Sequence, residues 1–183
     1  FPHHECEIAQ AVGAYGKEPV SYWIHSNMLT VNGQKMSKSL GNSFLPSELF
    51  SGTHALLTKG YSAMTVRFFM LQSHYSSTLD FSDEALNAAE KGYRKLSSAL
   101  TLIKTLDAPT GDPKSDLSVE VERLCKECYL NMSDDFNTAK TLAVLFEMSS
   151  RINDVKAGNV TAMGKAAFEL LNATYVKMME DVL

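Results

Sequence analysis

Apolar positions recur at intervals of three and four through the second half of the chain, and at intervals of two only around residue 20. The pattern predicts a mainly helical protein with a small β element near its front. Residues 3 to about 15 read as a helix, with Glu5 and Glu7 near its amino end, Ile8, Ala9, Ala11 and Val12 as apolar positions, and Gly13 and Gly16 weakening its far end. After Pro19, the order Val20, Tyr22, Ile24 alternates with Ser21, Trp23, His25, which predicts a strand buried on at least one face. Residues 28–36 carry Asn32-Gly33 at their centre, the pair that tolerates a type I′ turn, so a short hairpin is expected there. Pro46, Gly52 and Gly60 suggest short helices and loops up to about residue 62.

From Met64 the period becomes helical, with Met64, Phe68, Leu71 and Tyr75 in register. A second long run starts at Ser82, a natural N-cap with Asp83 and Glu84 in the first turn, and places Leu86, Ala89, Tyr93, Leu96, Leu100 and Ile103 on one face. Pro109, Gly111 and Pro113 mark a linker over 108–116. Three further stripes follow: Leu117, Val121, Leu124, Cys128; then Leu142, Leu145, Phe146, Ile152; then Phe168, Leu171, Tyr175, Met178, Val182. The fold class expected is mixed α/β and mainly α, the helices forming an antiparallel bundle.

Composition narrows the function classes. Seventeen Lys+Arg against 21 Asp+Glu give a net charge of −4, so bulk electrostatic attraction to nucleic acid is excluded and any RNA contact must be local. The excess acid lies in residues 83–183, while the front of the chain is neutral. No apolar run approaches the roughly 18 to 20 residues of a membrane span, so no membrane partner and a cytoplasmic location are expected. Three cysteines, Cys6, Cys125 and Cys128, do not make a disulfide framework and read as reduced thiols. The chain lacks an initiator Met and stops inside an apolar helical pattern, so it reads as a segment of a longer polypeptide.

The sharpest chemical feature is Lys35-Met36-Ser37-Lys38-Ser39-Leu40-Gly41-Asn42, directly after the hairpin. Two cations separated by hydroxyls, with a Gly-Asn pair that lets the backbone turn closely, suit a polyphosphate. A loop can close over such a ligand and reopen. The competing reading is a solvated basic turn. On the first predicted helix, His3 and Glu7 stand four apart and share a face, where an imidazole and a carboxylate can reach one metal ion. A plain helix-start histidine is the competing reading there, and Trp23 by itself reads as core packing.

These residues carry a resemblance. The string at 35–39 is similar to the KMSKS signature of class I aminoacyl-tRNA synthetases. The run from His3 to Gln10, Tyr22-Trp23-Ile24-His25, the 64–69 segment and Asp134-Asp135-Phe136-Asn137-Thr138 together resemble the cysteinyl-tRNA synthetase family. The resemblance implies that residues 1–30 are the C-terminal edge of a Rossmann-like nucleotide-binding domain, 31–81 the KMSKS loop and stem-contact region, and 82–183 a helical bundle incomplete at its end. It implies ATP, with Mg²⁺, as substrate bound by Lys35, Met36, Ser37, Lys38 and Ser39, with Lys35 and Lys38 catalytic. It also implies a Zn²⁺ site in which His3 and Glu7 join two cysteines absent here, zinc favouring a substrate thiolate over a hydroxyl, and it makes Trp23 a wall of the substrate pocket instead of core.

L-cysteine and tRNA(Cys) are the partners so implied, joined through a cysteinyl-adenylate by a monomeric parent. The segment alone, lacking the HIGH motif, is expected to be inactive. Two alternatives stay open: a cysteine ligase acting on an amino sugar through the same adenylate, and a noncatalytic helical module that binds RNA or a partner. Cys6 departs from the family pattern and falls near the metal face; His4 is ambiguous. Cys125 and Cys128 read as buried thiols, Asp134-Asp135 as the start of the fourth helix, and Arg67, Arg94 and Lys95 as solvated helix surface.

Overall fold

The computed structural model describes residues 2–158 and 163–183. A first helix, α1 (Pro2–Tyr15), is followed by an irregular stretch and a hairpin of β1 (Leu29–Val31) and β2 (Gln34–Lys35). Short α2 (Pro46–Ser51) and α3 (Ala63–Leu71) lead to β3 (Leu79–Phe81). The long helices are α4 (Asp83–Ile103), α5 (Asp116–Ser133), α6 (Thr138–Lys156) and α7 (Lys165–Lys177), the last running into a π-helical turn at Met178–Val182.

The sheet has the order β2-β1-β3, with β1 antiparallel to β2 and parallel to β3. Asn32 and Gly33 both take positive φ, 49° and 75°, as the type I′ reading of the turn requires. The parallel strand β3 was not foreseen. Its register sets Thr30 opposite Asp80 and Val31 opposite Phe81, and both Val31 and Phe81 are buried.

The predicted strand over 20–25 does not form. Those residues are irregular, with a bend at Ser21, and Tyr22 and Ile24 are exposed. Alternation describes the side chains a strand would present, but a strand also needs a neighbour's N–H and C=O groups, and among the described residues none lies alongside. Helix α1 forms as expected and buries no residue.

The bundle follows the predicted stripes. Leu86, Leu96 and Ile103 on α4, Val121, Leu124 and Cys128 on α5, Leu145 and Ile152 on α6, and Leu171 and Tyr175 on α7 are fully buried. Helices α5 and α6 pack on one another across a short connection, which makes them antiparallel; α5 also packs on α7, and α4 on α6. Ser82 caps α4, its hydroxyl accepting the Ala85 N–H at 3.1 Å. Helix α3 stops at Leu71, so Tyr75 stands outside it.

Helix α6, the fourth helix of the sequence reading, is not started by Asp134-Asp135. Asp134 closes α5, and the N-cap of α6 is Asn137, whose Oδ1 accepts the Lys140 N–H at 3.1 Å. An N-cap oxygen must sit two or three residues before the first free N–H groups, and the chain turns through positive φ at Asp135 and Phe136 before it reaches that geometry. Asp135 instead joins the end of α3 to the bundle. The Tyr75 hydroxyl donates to its Oδ1 at 2.6 Å, and His74 Nε2–H donates to its carbonyl at 3.0 Å, which leaves Nδ1 to accept from the Ser76 hydroxyl at 2.6 Å.

Candidate functional site: a lysine loop on a hairpin

The lysine loop leaves β2 at Lys35 and is stapled before it can wander. Asn42, only 8% exposed, accepts the Ser37 N–H at 2.8 Å through Oδ1 and donates from Nδ2 to the Lys35 carbonyl at 3.1 Å. Inside that ring the Ser37 hydroxyl accepts the Leu40 N–H at 3.2 Å and lies 3.2 Å from the Ser39 hydroxyl. Gly41, at φ 63°, closes the turn by donating its N–H to the Lys38 carbonyl at 3.1 Å. Met36 packs against the core, while Lys35, Lys38 and Ser39 are exposed. Among the described residues neither ammonium is held in an ion pair. The result is an ordered backbone that presents two cations to solvent. A cleft of about 310 Å³, lined in part by Asn32, Gln34, Gly41 and Asn42, adjoins it.

The hairpin beneath is pinned from the other side. Asp80 accepts the Thr30 hydroxyl at 2.7 Å and the Gly33 N–H at 2.8 Å, and these hydrogen bonds, that from Thr30 first, hold its carboxyl below the usual carboxylate range. Neither Asp80 nor the side-chain role of Asn42 was read from the sequence. The alternation Leu79-Asp80-Phe81 before the Ser82 cap was the available signal for the first. For the second it was the Asn after Gly41, noted only for the turn it permits.

The other predicted residues lie on or against α1. His3, Glu7 and Cys6 are all exposed on that helix. Trp23, 37% exposed, is not core: it stacks on His4 at 5.6 Å and on His25 at 6.2 Å, and His4 and His25 lie 4.6 Å apart. The irregular segment around Trp23 is thus laid against α1 by an aromatic cluster. Among the described residues no group of three His, Cys, Asp or Glu is placed to hold a metal ion. His3 and Glu7 supply two donors at most, so they do not fit a complete zinc site by themselves.

The remaining candidates are buried thiols and exposed cations with local contacts. Cys125 and Cys128 are buried, and burial pushes the Cys128 thiol up to about 12. Arg94 pairs with Glu90 at 2.8 Å, Lys95 sits 5.7 Å from the Phe146 ring, and Arg67 donates to the Leu183 carbonyl at 2.6 Å. No described helix is long and apolar enough to cross a membrane.

The fold resembles that of a solved structure. Over 95% of this chain and 23% of the other, it superposes on the LeuRS of Agrobacterium radiobacter K84, solved in a ternary complex with tRNA and LeuAMS, at a TM-score of 0.56 and 18% identity. Two family models match: the class I (C) tRNA synthetase catalytic domain over residues 1–91 and the DALR domain over residues 129–183. The arrangement is that of a class I tRNA synthetase, catalytic-domain end first and helical domain after.

Relatives narrow this further. The chain is 48% identical, over its whole length and 38% of the relative, to a protein named cysteine--tRNA ligase in Cytophaga hutchinsonii. It is 49% identical to that of Porphyromonas gingivalis, over all of this chain and 36% of the relative, and 51% identical to that of Bacteroides thetaiotaomicron over 88% and 32%. The chain belongs to the cysteinyl-tRNA synthetase family. It spans little more than a third of the length of the curated relatives it matches.

Proposed function

We propose that these residues are the lysine-loop and helical portion of an enzyme that uses ATP to form cysteinyl-adenylate and then esterifies tRNA(Cys). The observation that carries this reading is the stapled loop at 35–42, with two ammoniums exposed and free of ion pairs on an ordered backbone. When the cysteine carboxylate attacks the α-phosphorus of ATP, the bond to the bridging oxygen breaks and negative charge gathers on the departing pyrophosphate. Lys38, with Lys35 assisting, follows that charge, and a preorganised cation of this type is worth most in the transition state. Met36, Ser37 and Ser39 shape the loop around the nucleotide.

His3 and Glu7 would be two of four zinc ligands, with the others outside the described residues; bound zinc would supply a soft Lewis acid for the cysteine thiolate. Trp23, stacked beside the same helix, would wall that pocket. The names of the relatives favour tRNA over an amino sugar as acceptor. The activity belongs in this reading to a polypeptide of the relatives' full length.

The test is ATP–pyrophosphate exchange by that full-length polypeptide. Lys38→Ala is expected to lower cysteine-dependent exchange by about 10²- to 10³-fold, with cysteine affinity little changed. Exchange at the parent rate contradicts the assignment.

A further inference from the structure

We infer that Asn42 is the positioning residue of the lysine loop, its side-chain amide acting as a surrogate peptide group that fixes Lys35 and Lys38 relative to the hairpin. The inference rests on the reading of the loop as a phosphate lid, but its argument is geometric. A peptide unit offers one C=O and one N–H in a fixed relation, and that is what the Asn42 side chain offers: Oδ1 to the Ser37 N–H at 2.8 Å, and Nδ2–H to the Lys35 carbonyl at 3.1 Å. Lys35 is the last residue of β2, so its carbonyl lies where the strand ladder runs out. Asn42 therefore extends the ladder by one rung without a strand. The rung spans Met36, whose side chain is held by the core, so the loop is fixed at three consecutive residues on one side.

From there the chain reaches Lys38 in a single residue. The Ser37 hydroxyl binds the Leu40 N–H, and the Lys38 carbonyl takes the Gly41 N–H, so both contacts return the chain to Asn42. At 8% exposed, the amide is sheltered from the water that would otherwise compete for its partners. Asn42 does not need to meet the nucleotide. It acts through where it leaves the two ammoniums.

Substitution separates the two halves of the rung. Asn42→Ala removes both bonds. Asn42→Asp keeps an acceptor for the Ser37 N–H and sets a carboxylate oxygen against the Lys35 carbonyl, where no donor remains. Because a misplacement of about 1 Å costs roughly 100-fold when reacting groups must align, Asn42→Ala is expected to lower kcat for adenylate formation by about 10- to 100-fold. KM for ATP should move less than about threefold, since most ground-state contacts survive. Asn42→Asp, which sets a carboxylate oxygen against the Lys35 carbonyl, should fall at least as far as Asn42→Ala.

The experiment is a cycle of Asn42→Ala, Lys38→Ala and the double variant in pyrophosphate exchange by the full-length polypeptide, joined to amide hydrogen exchange on the unsubstituted protein. The expected results are a double variant scarcely slower than Lys38→Ala alone, and a Ser37 amide that exchanges far more slowly than that of Ser39. Losses that multiply in the double variant, or equally fast exchange at Ser37 and Ser39, overturn the inference, and the exchange measurement needs no variant to fold. A crippled Lys38→Ala beside a fully active Asn42→Ala overturns the positioning role alone. A fully active Lys38→Ala overturns the phosphate-lid reading, and the positioning role with it.

Discussion

The two ends of this molecule obey the same physics with opposite results. In the bundle the apolar stripes of α4, α5, α6 and α7 face one another, and Leu86, Leu96, Ile103, Val121, Leu124, Leu145, Ile152 and Leu171 are wholly buried. At the front, α1 buries nothing, and Val20, Tyr22, Ile24 and Met28 are exposed although their pattern is as apolar. The contrast teaches that periodicity announces which face wants burial, while burial itself depends on a second surface within reach. The side chains with chemistry, His3, Glu7, Trp23, Lys35 and Lys38, are all exposed; Trp23 is held against α1 by ring stacking, while the two lysines ride on a loop tied by hydrogen bonds and by Met36 packed on the core.

The contrast can be broken at several points. Thiol chemistry gives the widest margin: Cys6 is exposed on α1, whereas Cys128 is buried and its pKa is pushed up to about 12 by that burial. A thiol reagent at neutral pH should label one cysteine rapidly and the other two slower by orders of magnitude, at a rate set by opening of the bundle. Three equal rates would mean that the bundle is not closed. Next comes core truncation. Leu145→Ala, at a wholly buried site, should cost about 2 to 5 kcal/mol in denaturant unfolding, while Val12→Ala, at a position 44% exposed, should stay within about 0.5 kcal/mol. A large loss at Val12 would show that α1 is docked on a core after all.

Smaller effects sharpen the boundary between the halves. Ser82→Ala removes the acceptor of the Ala85 N–H and should cost about 1 kcal/mol in the unfolding midpoint without changing its slope. Asp83, at the start of α4, is pushed up by burial but brought below its ordinary value overall by hydrogen bonds from Tyr61 and Thr58. Its folded pKa is thus under its unfolded one, so the stabilisation is complete above the unfolded value of 3.8 and is lost as pH falls through the folded value. Melting temperatures taken between about pH 5 and about pH 2 should fall less steeply in Asp83→Asn than in the parent. Parallel curves would detach Asp83 from the acid transition.

Where the sequence was legible, local rules sufficed. The Asn32-Gly33 turn, the Ser82 cap and the stripes from Leu86 to Met178 each rest on residues a few positions apart, and all three formed as read. What escaped was nonlocal or too short for a period. Strand β3 is three residues long and pairs in parallel with a strand some fifty positions earlier. Alternation alone reads Trp23 as core, and only the stacking on His4 and His25 places it at the surface against α1. Asp134-Asp135 looked like a cap because acids favour helix starts, yet the turn through Asp135 and Phe136 moved that role to Asn137. In the loop, the lysines were visible as chemistry, but the clamp that holds them is a contact across five and seven residues that no spacing rule reports.

The central claim is that the pair Lys35 and Lys38 grips the phosphates of a nucleotide. Crystals of the full-length polypeptide grown with a nonhydrolysable ATP analogue address it directly. The account predicts Lys38 Nζ within about 3 Å of a β- or γ-phosphate oxygen, with the Asn42 bonds intact beneath the loop. A fully ordered triphosphate with both ammoniums remote from it would contradict the claim.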